Sequence, residues 1–342
     1  MRSRIPHRAL RHDGVTMIVI GIDIGGTEIK AGLVSLGAGE TPQNADSGER
    51  VLHRLAVPTN ATGGPSAVIE AVHRVVGELL RLSSDCGNAA RIGIGVPGSV
   101  DHESGVVLCP PNLPGWERVP LARIVEAKWG MPVSIDNDAN CAALAEARFG
   151  AGRGHRSFIA LTLGTGVGSG IVLDGALYRG ERGFGGEFGH MTIDYNGPQC
   201  NCGNTGCVEA YIGGAYIPGR ARSYLAHHPE STLYGRALEE PGSLTPKILA
   251  DAAASGDEGA RAFLRETGEL LGIAVASAVN LLDIHVFVIG GGIAGAGEPL
   301  FAGIASSARS HVLSVHRESI RILPARLGNE AGMLGAAALA AS

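Results

Sequence analysis

Two stretches of this chain follow one plan, and that repetition limits the fold more than any other feature. IVIGIDIGGTEIKAGLVS, residues 18–35, is an apolar run, a glycine and threonine turn, and a second apolar run. FIALTLGTGVGSGIVLDG, residues 158–175, repeats the order, and a shift of 140 residues lays Gly25-Gly26 over Thr165-Gly166. Each stretch reads as a strand hairpin with a glycine turn. Around them, strand-like runs (LAVPT, RIGIGVP, PVSID, HVFVIGGG, IRILPA) alternate with helical patterns at about Ser66–Leu82, Leu121–Trp129, Thr245 onward, a long helix to about Leu282 and a terminal EAGMLGAAALAA. Such alternation is that of α/β domains, here duplicated, and predicts two lobes with a central cleft.

A chain of 342 residues can bury a sizeable core as two domains. We divide it into an N-terminal lobe over 17–134, with the helix at about 326–342 packing back on it, and a C-terminal lobe over 135–325. Residues 1–16 hold four arginines but no apolar stretch, so they read as a disordered or extraneous segment and not as a secretory signal. A net charge of −5 gives no basic face for nucleic acid, and no apolar run is long enough to span a bilayer. We therefore expect a cytoplasmic protein with no nucleic-acid or membrane partner, whose six cysteines are thiols or metal ligands.

The glycines gather at the ends of apolar runs, as backbone that approaches phosphate requires. Gly25, Gly26 and Thr27 follow a strand bearing Asp23; their N–H groups and hydroxyl suit phosphate oxygens, and the aspartate suits a water-bridged Mg²⁺. Alone this is as well read as a plain hairpin turn. The equivalent turn around Thr165 and Gly166 shifts the weight, because two such turns can grip one polyphosphate. Gly290-Gly291-Gly292 would let a flat adenosine pack against backbone. There is no P-loop pattern, and the match Gly93-x-Gly95-x-x-Gly98 is set aside because Pro97 interrupts it and no helix pattern follows.

Asp136-Asn137-Asp138 stands between the strand PVSI and a helix. One N-cap suffices there, so three polar residues leave a carboxylate free to take a proton from a substrate hydroxyl. Asp138 is preferred to Asp136 because strand alternation sends both to one side and only the later one clears the sheet edge. His190, Cys200, Cys202 and Cys207 have the ligand types of a closed Cys₃His zinc site. With one imidazole nitrogen on the metal, the other can join Glu187 and Glu209 in binding several hydroxyls of a polyol.

DIGGTEIKAGLV, GIGVPGSVD, DNDANCAALAE, LTLGTGVGSGIV, GEFGHM, CNCGNTGCVEAY, VIGGG and AGMLGAAALA occur in this order from about Met17 to the C-terminus. In them the chain resembles the ROK (repressor, open reading frame, kinase) sugar kinases, of the actin, hexokinase and Hsp70 superfamily with its two-lobed actin-like ATPase (ribonuclease H-like) fold. The resemblance implies ATP-dependent phosphorylation of a hexose at its 6-hydroxyl, Mg²⁺ with the ATP, a structural Zn²⁺ on His190, Cys200, Cys202 and Cys207, and a homodimer or dimer of dimers. It makes Asp138 the catalytic base. Asn137, Glu187, His190 and Glu209 become sugar ligands, and Gly98 lines the sugar pocket. Asp23, Gly25, Gly26 and Thr27 form the first phosphate motif, Thr165 and Gly166 the second, and Gly291 and Gly292 the adenosine side.

CPPNLPGWERVPL resembles the glucokinases of the family, so glucose is the expected substrate. Kinases of N-acetylglucosamine, N-acetylmannosamine, mannose or allose share the other motifs. The family's transcriptional repressors carry a helix-turn-helix ahead of the first motif, where only about sixteen residues stand here, and a non-catalytic sensor would lack the base or a phosphate turn. The stretch from about 217 to 240 suggests no role.

Overall fold

A computed structural model describes residues 16–37, 51–84, 87–110, 112–240 and 242–342. Of the expected extraneous segment 1–16, residues 1–15 lie outside the described residues, and Thr16 already opens the first strand. In chain order the first half runs β1 (Thr16–Ile24), β2 (Glu28–Gly37), β3 (Val51–Pro58), α1 (Gly64–Ser83), β4 (Arg91–Val96), β5 (Val100–Asp101), β6 (Val106–Val107), α2 (Leu121–Trp129), β7 (Val133–Asn137) and α3 (Asp138–Phe149). The second half runs β8 (Phe158–Leu163), β9 (Val167–Leu173), β10 (Ala176–Tyr178), α4 (Val208–Ile212), α5 (Ile217–Leu225), α6 (Tyr234–Glu239), α7 (Pro246–Ala254), α8 (Glu258–Leu282), β11 (Val286–Gly290), α9 (Glu298–His311), β12 (Arg321–Pro324) and α10 (Ala331–Ala340).

The duplication is explicit in the sheets. One has the order β3-β2-β1-β4-β7 and the other β10-β9-β8-β11-β12, so each is an antiparallel meander continued by two parallel strands. The hairpins differ slightly: Ile24 pairs with Ile29 at the tip of the first and Leu163 with Val167 at the tip of the second, one residue tighter. Helix α1 begins with Pro65 in its first turn and buries Val68, Val72, Val75, Val76 and Leu79, a helical stripe that covers Ile20, Ile22, Ile92 and Ile94. It starts two residues before the expected Ser66 because the proline pre-sets the first turn. Helix α8 does the same in the second half through Phe263, Leu264, Leu271, Val275 and Val279.

The last helix of each half packs on the other half. Helix α3 lies on β8 and β9, α10 lies on β1, β4 and β7, and the two pack together between the sheets. That position explains why α10 has no polar face: from Met333 to Ala340 every residue is buried. It also explains glycines in the middle of strands and helix. A side chain at Gly21 or Gly93 would run into the α10 backbone, and one at Gly335 into the Cys141 carbonyl of α3.

Candidate active site

Two parallel strands of each sheet, β4 and β7 in one and β8 and β11 in the other, end on one cavity of about 370 Å³. Pro97 and Gly98 after β4, Asn137 at the end of β7, Gly164 to Gly166 after β8 and Gly291 after β11 all line it. It is the crevice at strand carboxyl ends where open α/β sheets bind ligands.

At the β7–α3 junction one residue of the three acts as the cap. Asn137 has an extended backbone, and its Oδ1 accepts from the N–H groups of Ala139 and Asn140 at 2.9 and 3.2 Å while its Nδ2 donates to the Gly98 carbonyl at 3.0 Å. Asp138 is the first residue of the helix; its Oδ1 also accepts from the Ala139 N–H, at 2.8 Å, and the side chain lines the cavity. Burial pushes its carboxyl above the usual range, the Ala139 N–H opposes this, and the charge of Glu187 adds to it. Asp136 is buried instead: its carboxylate accepts from Arg179 Nε at 2.8 Å and from Asn140 Nδ2 at 2.9 Å. The expectation that strand alternation sends both aspartates one way is corrected, because the strand has ended before Asp138.

Glu187, His190 and Glu209 also line the cavity. Glu187 precedes the 3-10 turn Phe188–His190, and the Gly189 in that turn allows it to lie against Val167 of the second glycine loop. Glu209 is in the first turn of α4, where its Oε2 accepts from the Val167 N–H at 2.8 Å, so it fixes the same loop.

The cysteine stretch is a compact knuckle. The Cys200 N–H donates to Asn204 O, the Gly203 N–H donates to Cys200 O, and Gly203 and Gly206 take positive φ. Cys202 Sγ lies 3.7 Å from Cys207 Sγ, Cys200 Sγ lies 3.9 Å from His190 Nδ1, and all four ligating atoms fall within 4.8 Å of one another. Zn–S bonds of ~2.3 Å in a tetrahedron would space sulfurs by about 3.8 Å, so the donor set fits that ion. Burial, then Cys202, pushes the Cys207 thiol up to about 12, whereas the Asn204 N–H draws the Cys202 thiol down. With Nδ1 facing the sulfurs, the Nε2 edge of His190 is left for the cavity.

Two of the three glycine turns reach the cavity directly. Thr165, Gly166 and Gly291 line it, and Gly291, at φ 88°, lies so close to the Leu163 backbone that a side chain there would collide. Asp23, Gly25, Gly26, Thr27 and Gly292 do not line it. The first turn stands at the rim, with Gly26 against Asn112, a lining residue, and is clamped from behind by the buried Thr59, which donates from Oγ1 to Gly25 O and from its N–H to Thr27 O. Asp23 sits below it, raised to about 6 by burial and by Asp138, with Lys30 opposing.

Sequence reasoning missed Asn112, Thr59 and the floor Gly183-Phe184-Gly185-Gly186, which Arg179 anchors through Asp136. For the floor a signal existed: RGERGFGGE has glycines at 180, 183 and 186, all of positive φ. The stretch 217–240 holds α5 and α6; its Arg220 pairs with Glu266 at 2.7 Å and shares in the C-terminal core, away from the cavity.

The ROK family model matches residues 19–342. A glucokinase of Thermotoga maritima is 36% identical over 322 residues, 94% of this chain and 96% of that protein. A solved ROK family glucokinase of Streptomyces griseus, in complex with glucose and AMPPNP, superposes with a TM-score of 0.77 at 35% identity, over 95% of this chain and 99% of that one. A ROK family transcriptional regulator, a homologue of the E. coli MLC protein, superposes at 0.81 with 26% identity, over 95% of this chain and 78% of that one. Matched from its first strand to its last residue, with both glycine turns and the cysteine knuckle in place, this chain belongs to the ROK family.

Proposed function

We propose that the chain transfers the γ-phosphoryl group of ATP to the 6-hydroxyl of glucose, with Asp138 as general base. One observation carries this reading: the half-buried carboxylate of Asp138, at the start of a helix that Asn137 caps, shares a cavity with Glu187, His190, Glu209 and a glycine loop. Its raised pKa makes Asp138 a better proton acceptor once ionised, as the sugar oxygen attacks in line. Asn137 retains one amide N–H for a sugar hydroxyl, Gly98 borders the ring, and the two glutamates with His190 Nε2 take the remaining hydroxyls. Thr165, Gly166, Gly25, Gly26 and Thr27 hold the phosphates, and Gly291 with Gly292 the adenosine. Asp23, half-buried and repelled by Asp138, fits beside the Mg²⁺ that accompanies ATP, which would supply charge balance for the phosphates.

A Zn²⁺ held by His190, Cys200, Cys202 and Cys207 would supply rigidity only. Through it the knuckle sets the tautomer and direction of His190. Cys202→Ala should therefore lose the ion and weaken glucose binding together; tight glucose binding by a zinc-free variant would remove this role from the proposal. The homodimer or dimer of dimers implied by the family resemblance belongs to the same proposal, and light scattering decides between them.

Turnover with MgATP is to be compared across glucose, mannose, allose, N-acetylglucosamine and N-acetylmannosamine by kcat/KM. Glucose should lead. An acetamido sugar in the lead would keep the base and redraw the pocket beside the 2-position, and sugar binding without any turnover would favour a sensor like the regulators. Asp138→Asn should cut kcat by about 10²–10⁴-fold with glucose affinity little changed. Near-normal turnover in that variant would sink the assignment of the base.

A further inference from the structure

The second half carries three ligating side chains that the cavity does not use. Asp283 ends α8 in a left-handed conformation, φ 56°, its N–H closing the helix on Val279 O. His285 stands just before β11, and His316 lies in the turn Ser314–Ser319 that leads from α9 toward β12. His285 Nε2 is 3.0 Å from His316 Nδ1, and Asp283 Oδ1 is 3.5 Å from each. Two different crossover connections thus deliver three donor atoms to one point. The parallel pairing of Val286 with Arg321, and the Arg321 N–H donating to His285 O at 2.9 Å, hold them there. The two imidazoles are 75–85% covered, with side-chain exposures of 25% and 15%, while the Asp283 carboxylate is open to solvent at 79%.

We propose that Asp283, His285 and His316 form a second metal site, for a divalent transition ion, distinct from the cysteine knuckle. The circle through the three donor atoms has a radius of about 1.9 Å, and an ion at the ~2.0–2.1 Å usual for imidazole and carboxylate ligands lies within about 1 Å of their plane. Its fourth position is on the solvent side, for water or a small anion. Two imidazoles and one carboxylate select zinc, nickel, cobalt or copper(II) over magnesium or calcium, which prefer all-oxygen sites. In the absence of an ion the two facing ring nitrogens form one hydrogen bond, so one of them must be an acceptor. The site lies at the start of β11 and the cavity at its end, where Gly290 and Gly291 follow. An ion would therefore tie the α8–β11 and α9–β12 connections together without touching substrate.

The test uses the full chain with its cysteine site saturated by Zn²⁺ and excess ion removed. Co²⁺ is then titrated in, followed by calorimetry and visible absorption. One further equivalent is expected, with d–d bands and no thiolate charge-transfer band, together with a rise in Tm. The double variant His285→Gln, His316→Gln should lose that equivalent and the rise. Asp283→Asn, an exposed change that leaves both imidazoles, should weaken Co²⁺ by at least the about 10–100-fold that loss of a mere outer partner costs, and it decides the matter if the double variant does not fold. Failure of the wild type to take the second equivalent, or equal uptake by wild type and variants, would overturn the proposal. Glucose phosphorylation in the same samples reports separately on the cavity.

Discussion

Asp23 and Asp138 stand near enough that the charge on Asp138 helps to raise Asp23, from an ordinary 3.8 to about 6. Folding therefore favours the neutral Asp23 carboxyl. The stability it gives is complete below about pH 4 and lost as pH rises through 6, so at pH 8 the ionised group opposes folding. Asp23→Asn should be more stable than the wild type at pH 8 without nucleotide, by up to about 3 kcal/mol, and no more stable at pH 4. Urea unfolding at the two pH values measures this, and an equal difference at both would show that the carboxylate is not the cause. The same variant should need more MgATP for half-maximal turnover. At this scale the sequence displays what is local. The knuckle spacing points to His190 and the Asp-Asn-Asp junction to Asn137 and Asp138, and these three line one cavity. The partner that separates Asp136 from Asp138 in use is Arg179, 43 residues along the chain, and no pattern announces it.

Helices α1 and α2 were legible nearly to the residue because a one-sided apolar stripe and a proline mark them. Helix α10 is legible as a helix, but its role follows from being apolar on all sides and small on most, which suits a rod between two sheets. Gly335→Ala places a methyl group on the Cys141 carbonyl and should cost about 1–3 kcal/mol in spite of alanine's better helix propensity, as thermal unfolding would show. Unchanged or higher stability would mean that α3 and α10 can move apart cheaply. The loop that leads from Arg179 to Glu187 shows its turns in the glycines at 180, 183 and 186, but not its place as a cavity floor, because that is set by the anchor of Arg179 on the distant Asp136.

For the whole molecule the duplication was plain, since two hairpins of one pattern gave two sheets of one strand order. What the pattern hides is distance. The second glycine loop lines the cavity, whereas the first waits at its rim behind Asn112, so one polyphosphate can be held by both only if the sheets close on it. Glucose together with a non-hydrolysable ATP analogue should lower the radius of gyration in X-ray scattering, and an unchanged value would require the phosphates to be bound by the second loop alone.

The exchange of α3 and α10 between the sheets has one more consequence. Cut in the connection between Phe149 and Phe158, the chain would give two fragments, each bearing the helix that the other's sheet needs and lacking the cover of one face of its own sheet. Either fragment alone would present bare apolar strands to water and to its own copies, whereas the two together hold every surface required to rebuild the molecule. The halves of this protein thus complete each other, since the core between α3 and α10 draws on residues from both sides of the middle connection.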